Sequence, residues 1–108
     1  ARAAPTVTRL RYTRRAEADL DSIAAYTLEK WGLDQAHRYL NTLIACCEHV
    51  VTDPSRGRVH HPRPDYLRTE QGKHVVFFRR DASGDTLIVR MIHQRMLPEL
   101  HLTEDTEE

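Results

Sequence analysis

Residues 31–34, Trp31-Gly32-Leu33-Asp34, separate two amphipathic stretches and decide the fold. Before them, small or apolar side chains recur every three or four residues, as on one face of a helix: Ala16, Leu20, Ile23, Ala24, Thr27 and Trp31. A second stripe with this spacing follows: Ala36, Leu40, Leu43, Cys47 and Val50. Glycine commonly ends helices in a left-handed conformation, so Gly32 predicts the end of the first helix. So short a link predicts an antiparallel helical hairpin.

The neighbouring residues set the expected limits of the two helices. Thr13 is placed to cap the first helix, and Asp34 is placed to cap the second. Asp53-Pro54 predicts the end of the second helix, because proline disfavours helical backbone at the residue before it. We expect the Trp31 indole to lie at the base of the hairpin, packed on both helices near Ala36 and Leu40.

The remaining sequence predicts four strands, in the order β-α-α-β-β-β. Alternating side chains predict a first strand over residues 7–12 that turns Leu10 and Tyr12 toward the core. Further strands are predicted over residues 66–70, 73–81 and 86–95, with a turn at 82–85 and a loop at 55–64. Strict alternation in the last strand places His93 and Arg95 on the face of Val89, and Arg90 on the opposite face.

Length and composition predict one α+β domain over residues 1–108, with residues 1–6 and 103–108 flexible. The chain has 108 residues, of which 40% are hydrophobic and 30% charged, as in an ordinary globular protein. No apolar run approaches the roughly 20 residues of a membrane helix, and nothing resembles a secretory signal. We therefore expect a cytoplasmic protein without membrane contact.

Charge is balanced overall but unevenly distributed. The formal net charge is zero, yet residues 56–95 hold nine Lys or Arg against four acids. The second half therefore predicts a basic surface suited to an acidic partner, either protein or nucleic acid.

Motifs for metal, cofactor or nucleophilic chemistry are absent, so we predict no metal, no cofactor and no assigned catalytic residue. Cys46 and Cys47 are adjacent and poorly placed for a disulfide, which predicts two free thiols with Cys47 in the core. His60-His61 is either a metal pair or part of a solvated basic loop, and we favour the loop. A metal-free ribonuclease would need an acid, a base and cations. The residues to weigh for that chemistry are His93, Arg95, Arg79, Arg90 and His101.

The order of motifs along the chain resembles the ParE family of toxins, within the ParE/RelE superfamily of bacterial toxin-antitoxin pairs. No single motif is specific, but their order and spacing cover residues 10–102. The matching positions are Tyr12, Ala16, Asp19-Leu20, Ile23, Tyr26, Trp31-Gly32, Gln35-Ala36, Tyr39, Leu43, Pro54, Arg56-Gly57-Arg58, Gly72, His74 to Arg79, Ile88, Arg90 to His93, Arg95-Met96 and His101-Leu102.

This resemblance implies a helical hairpin packed on a small twisted, mainly antiparallel sheet. It also implies that the chain is the toxin of a type II toxin-antitoxin system of the plasmid-stabilisation kind. Such a toxin inhibits DNA gyrase by binding it, and a ParD-like antitoxin neutralises the toxin in a heteromeric complex. Direct nucleic-acid binding is not expected. RelE-like relatives instead cleave mRNA on the ribosome with lysines, arginines and a terminal tyrosine or histidine. Here Lys73 is the only lysine after Lys30, and no tyrosine follows Tyr66.

Two sets of binding residues are predicted under this resemblance. The predicted effector surface comprises Arg79, Arg90, His93, Arg95, Met96 and His101. The predicted antitoxin contacts are Tyr26, Tyr39, Arg56 and Arg58. The alternatives are a RelE-like, ribosome-dependent endoribonuclease that needs no metal, and an interaction module without toxicity.

Overall fold

A computed structural model describes residues 9–102 of the chain. The predicted flexible ends, and Val7 and Thr8 of the predicted first strand, lie outside these residues. The elements are β1 (Leu10–Tyr12), α1 (Arg14–Trp31), α2 (Leu33–Thr52), a 3-10 turn (Pro54–Arg56), β2 (Arg58–Val59), β3 (Leu67–Gln71), β4 (His74–Arg80), β5 (Thr86–His93) and α3 (Pro98–His101). In the described part of the chain, no helix is both long and apolar enough to cross a bilayer.

The helical hairpin forms as predicted, except at the start of α2. Thr13 caps α1 by accepting a hydrogen bond from the Ala16 backbone N–H at 3.0 Å. Gly32 ends α1 with a φ of 89° and is itself the N-cap of α2. The prediction that Asp34 caps α2 is wrong, because Gly32 reverses the chain in one residue and Asp34 already lies in the first helical turn. Its carboxylate is placed instead to favour the positive end of the helix dipole.

Within residues 9–102 the sheet has five strands in the order β1-β5-β4-β3-β2, with β1 parallel to β5 and the other pairs antiparallel. The α+β architecture is confirmed. The predicted loop at 55–64 contains the short edge strand β2, and α3 follows β5. Neither was predicted, because elements of two and four residues are too short to show periodicity.

A bulge in β5 overturns the predicted alternation of its side chains. Phe77 is paired with Arg90 and Phe78 with Ile88, so Val89 is an extra residue opposite β4. Ile88 and Met91 therefore share one core, while Val89 packs on the other side of the sheet. Arg95 follows the end of β5 in a turn and belongs to neither face.

Side chains are buried on both faces of the sheet. The helical hairpin covers one face around Leu43, Cys47, Val76, Phe78 and Ile88, with Leu10 and Tyr12 packed against them as predicted. On the second face, strand residues pack against the loop before β3 and against the segment that follows β5. The buried residues of this face are Tyr66, Val75, Phe77, Leu87, Val89, Ile92 and Leu102. Both cysteines are free, and Cys47 is buried as predicted.

Candidate partner-binding groove

A groove opens where the tip of the helical hairpin extends past the end of the sheet. One part is a cavity of about 360 Å³, lined by Tyr26, Thr27, Lys30, Trp31, Gln35, Tyr39, Lys73, His74 and His93. A second part of about 390 Å³ shares Tyr26, His74 and His93 and continues along α1 to Met96. We call these two parts together the tip groove. Its lining is largely aromatic and apolar, with a few polar groups, as in protein and ligand sites generally.

Trp31 lies in the wall of the tip groove, and the prediction that it packs in the hairpin core is wrong. Its side chain is 64% exposed. The buried stripe of α1 ends one turn earlier, at Thr27. The last cross-strand pair of the sheet is His74 with His93, so the final helical turn lies beside the groove instead of above a sheet. The spacing of apolar side chains along α1 therefore extends to Trp31, one turn beyond the last residue of the helix that is buried.

Three aromatic side chains form the floor of the tip groove. The Tyr39 hydroxyl lies 2.6 Å from Nδ1 of His74 and accepts a hydrogen bond from the Lys73 backbone N–H at 3.3 Å. His74 and His93 pack edge to face, with ring centroids 5.5 Å apart. Burial, followed by the nearby His93 imidazole, lowers the pKa of His74 from its usual value of 6.5. The floor thus favours a neutral His74.

The turn that carries Lys73 is fitted to Tyr39. Gly72 has a φ of 58°, and a Cβ added there would lie 2.7 Å from the Tyr39 hydroxyl. The hydroxyl also lies 3.2 Å from the Gln71 carbonyl oxygen. Helix α2 and the turn between β3 and β4 are therefore held together at this point of the groove.

Arg90, a predicted effector residue, is held in an internal network. Its guanidinium donates two hydrogen bonds to the Asp19 carboxylate, each 2.7 Å long, and a third to the His101 carbonyl oxygen at 3.1 Å. Asp19 also accepts from the Met91 backbone N–H at 2.8 Å. The two charged side chains are only 11% and 14% exposed. Arg90 thus joins α1, β5 and α3.

The other predicted effector residues do not form one cluster. His93 accepts a hydrogen bond at Nδ1 from the Arg95 backbone N–H at 3.1 Å, and Met96 lies exposed in the same turn. Arg79 lies near the opposite end of β4, five residues from His74 and therefore roughly 16 Å along the strand. His101 is the last residue of α3, and its carbonyl is held by Arg90. His93, Arg95 and Met96 are thus brought together, whereas Arg79 lies apart.

The predicted antitoxin contacts lie in the tip groove and in two further cavities beside α2 and β2, and the contact of Tyr39 with Gln71 stands between the groove and these cavities. Tyr26 and Tyr39 line the groove itself. A cavity of about 300 Å³ between α2 and β3 follows, lined among others by Cys46, Arg56 and Gln71. Arg56 and Arg58 line the next cavity, at the β2 edge. Residues 69–71 of β3 pair with β4 on one side, but on the other side no described strand lies beside them, because β2 pairs only with Leu67 and Arg68. This edge borders the cavity next to α2.

The histidine pair at residues 60–61 supports neither of its predicted roles fully. His60 is buried, packs edge-on against Phe77 with centroids 5.0 Å apart, and has its pKa lowered by burial and by Arg68. His61 is exposed. The two side chains therefore occupy different environments, and only His61 belongs to a solvated loop.

Sequence reasoning missed Lys30, Lys73 and His74 as groove residues. Only the strand register places His74 opposite His93, and only the length of the hairpin beyond the sheet brings Lys30 and Trp31 to the same cavity. The one available signal was His74 in the same predicted hairpin as His93.

Comparison with known proteins assigns the family. The family model described as "ParE toxin of type II toxin-antitoxin system, parDE" matches residues 10–98. The chain belongs to the ParE toxin family. Toxin ParE1 of Caulobacter vibrioides is 39% identical over 93 residues, covering 85% of this chain and 95% of that protein. Toxin ParE1 of Mycobacterium tuberculosis is 37% identical over 82 residues, covering 75% and 84%.

Solved structures show that the fold is the one found in toxin-antitoxin complexes. A structure titled as the chromosomal ParDE system from P. aeruginosa aligns with a TM-score of 0.69 at 20% identity, covering 80% of this chain and 95% of that one. The RelBE2 toxin-antitoxin complex from Mycobacterium tuberculosis aligns with a TM-score of 0.61 at 16% identity, covering 82% and 99%. This ParE-family chain is thus a type II toxin by family, and the solved structures show that it shares their fold.

Proposed function

We propose that this ParE-family chain inhibits DNA gyrase by binding it, and that a ParD-like antitoxin neutralises it in the cytoplasm. One observation carries the binding part of the proposal, the exposure of large apolar side chains around the tip groove. Tyr26, Trp31 and Met96 are 62%, 64% and 47% exposed. Clustered exposed apolar side chains, aromatic ones above all, mark protein contact sites. The choice of gyrase rests on the family.

The described residues favour binding over RNA cleavage. Metal-free cleavage needs an acid and a base next to cations that stabilise the charge developing on phosphate. The guanidinium of Arg90 is already engaged by Asp19, and Arg79 lies at the other end of β4. We therefore assign His93, Arg95 and Met96 to effector contact, and Arg90 with His101 to supporting the chain end beside them.

The antitoxin is proposed to run from the tip groove, past the contact of Tyr39 with Gln71, to the cavities at the β2 edge. An amphipathic helix fits the apolar tip groove, and an extended segment can add to the free edge of residues 69–71 in β3. Tyr26, Tyr39, Arg56 and Arg58 all lie on this path. Coupled folding of such a tail would bury on the order of 1,000 to 3,000 Å².

Two assays with the purified chain test the target. We expect loss of gyrase supercoiling and no ribosome-dependent mRNA cleavage. Met96→Ser should restore supercoiling without changing the melting temperature, because its side chain is exposed. Arg38→Gln, on the outer surface of α2, is the control and should inhibit as the parent does. Cleavage of mRNA at defined sites with gyrase untouched would replace this proposal by the RelE-like function.

Expression in a bacterial host separates both toxin functions from a non-toxic interaction module. We expect arrested growth with filamentation and a DNA-damage response, relieved by co-expression of the product of the adjacent open reading frame. Normal growth of cells that contain the folded chain would contradict toxicity. A soluble chain without affinity for that product would contradict the antitoxin proposal.

A further inference from the structure

Two arginines face each other across the outer edge of the sheet. Arg58 of β2 and Arg68 of β3 are direct cross-strand partners, so their side chains leave the sheet on the same side. Like charges in this position repel each other. Both guanidiniums approach the same oxygen of Glu70, Arg58 at 2.5 Å and Arg68 at 3.5 Å. One carboxylate therefore balances two cations, and the pair retains a net positive charge.

The Arg68 guanidinium is incompletely satisfied. Its Nε is buried and has no hydrogen-bond partner among the described residues. Nη1 lies 3.5 Å from Nδ1 of His60, and the group stands over the Phe77 ring at 5.9 Å. An unsatisfied buried donor on a charged group is costly. A small outward movement toward an anion would relieve this cost.

Two shallow cavities meet at this arginine pair. One of about 300 Å³ includes Arg56, Arg58 and Arg68, and the other of about 440 Å³ includes Arg58, His61 and Arg68. Each is several times the roughly 30 Å³ that a water molecule occupies in the liquid, so a phosphate group fits. Among the described lining residues of both cavities, Glu70 is the only acid.

We propose that Arg58 and Arg68 form a binding site for a phosphate group at the β2 edge. A phosphate presents three or more oxygens and up to two negative charges, so it can bridge both guanidiniums where Glu70 offers one oxygen. Arginine forks suit phosphate geometry, and His61 lies beside them as a further donor. The phosphate belongs either to a free small molecule or to a nucleic-acid backbone. The site shares Arg58 with the proposed antitoxin path, and its phosphate binding is tested on the chain alone.

Titration of the full chain with inorganic phosphate tests the site, using the Nε–Hε NMR signals of arginine in a buffer without oxyanions. We expect the Arg68 signal to shift in a saturable way. Arg58→Gln should weaken phosphate binding about tenfold or more, because a charge-assisted bidentate contact is lost. Glu70→Gln should strengthen binding, because the competing carboxylate is removed. Both residues are at least half exposed, so the variants should melt as the parent does.

The control and the source of the phosphate come from the same titrations. Arg38→Gln, outside both cavities, should bind phosphate as the parent does. A short DNA duplex should bind more tightly than inorganic phosphate if the site belongs to a nucleic-acid backbone. The slope of log affinity against log salt concentration should then be smaller by about one in Arg58→Gln than in the parent. A duplex that binds no tighter than phosphate assigns it to a free small molecule. An unshifted Arg68 signal, or equal weakening by Arg38→Gln and Arg58→Gln, would overturn the proposal.

Discussion

The Asp19 carboxylate shows how one residue joins three segments of this chain. Beyond Ile88, β5 no longer pairs with β1, and its edge is met by α1. Thr13 donates to the Val89 carbonyl at 2.7 Å, while Asp19 accepts from Met91 N–H and from the Arg90 guanidinium. Polar groups of β5 that water would otherwise reach are thus satisfied by the first helix.

Asp19→Ala is expected to destabilise the fold strongly. The change leaves the Arg90 guanidinium and the Met91 N–H without their partner in a nearly buried environment. Removing one member of a buried ion pair typically costs about 3 to 5 kcal/mol. Urea unfolding measures this loss. Asp21→Ala, an exposed acid on the same helix, should stay within about 0.5 kcal/mol of the parent. Equal effects of the two changes would show that the Asp19 network contributes little.

His74 should make stability depend on pH. Its pKa is lowered in the folded chain, mainly by burial, so the unfolded state takes up the proton first as the pH falls. The free energy of unfolding should therefore decrease below the ordinary histidine pKa of about 6.5, and the contribution of His74 should level off below its folded pKa. His74→Gln should reduce the loss between about pH 7.5 and about pH 5, measured by urea unfolding. His37→Gln, exposed on α2, is the control. An unchanged pH dependence in His74→Gln would assign the loss to other groups.

Among the secondary elements, the helical hairpin depends on a single residue for its link. Gly32 combines a φ of 89° with a ψ of 174°, a region of backbone conformation that is essentially restricted to glycine. Space is not the constraint, because a Cβ at this position would meet nothing within 4 Å. Backbone strain alone therefore sets the requirement for glycine.

Gly32→Ala is expected to lower the free energy of unfolding by about 1 to 3 kcal/mol through this strain. Asp34→Ala should lower the free energy of unfolding by only about 0.3 kcal/mol, since the side chain interacts with the helix dipole and makes no capping hydrogen bond. Thermal and urea unfolding of both variants would test whether Gly32, and not Asp34, caps α2. A loss of about 1 kcal/mol or more in Asp34→Ala would restore Asp34 as the cap.

At the scale of the whole molecule, the tip groove exists because the helical hairpin extends past the end of the sheet it covers. The sheet ends at the His74 and His93 pair, and Trp31 stands beyond it in the wall of the tip groove. Core packing of α1 stops at Thr27, and the proposed partner surface begins there. The same overhang explains why a helical stripe can contain both core residues and exposed aromatic residues.

Trp31→Ala should weaken antitoxin binding with little effect on folding. A buried tryptophan typically contributes about 3 to 5 kcal/mol, but this side chain is 64% exposed. We expect a melting temperature within a few degrees of the parent and affinity reduced about 30-fold or more, as for an aromatic hot spot. Calorimetric titration with the antitoxin measures the latter. Leu33→Ala, exposed at the tip but outside the groove lining, should bind normally. If Trp31→Ala unfolds the chain, the indole packs in the hairpin core after all.

Local signals in the sequence determined the two helices, their hairpin link and the predicted strands, because periodicity, caps and chain-reversing residues act over a few neighbours. The position of Thr13 and the glycine at 32 could be assigned from residue type alone. The family, too, followed from the order of motifs. The predicted effector and antitoxin residues remain proposals, since their roles depend on partners.

Tertiary structure decided which face each side chain meets. The extra residue Val89 in β5 shifts the alternation, and it arises from pairing with β4, which no local pattern encodes. Trp31 carries the spacing of a core residue, yet it is exposed because the sheet ends below it. Arg90 is internal because Asp19, 71 residues away, reaches it across the sheet edge. Register, element length and long-range pairing are properties of the packed chain, and they placed the residues of the candidate site.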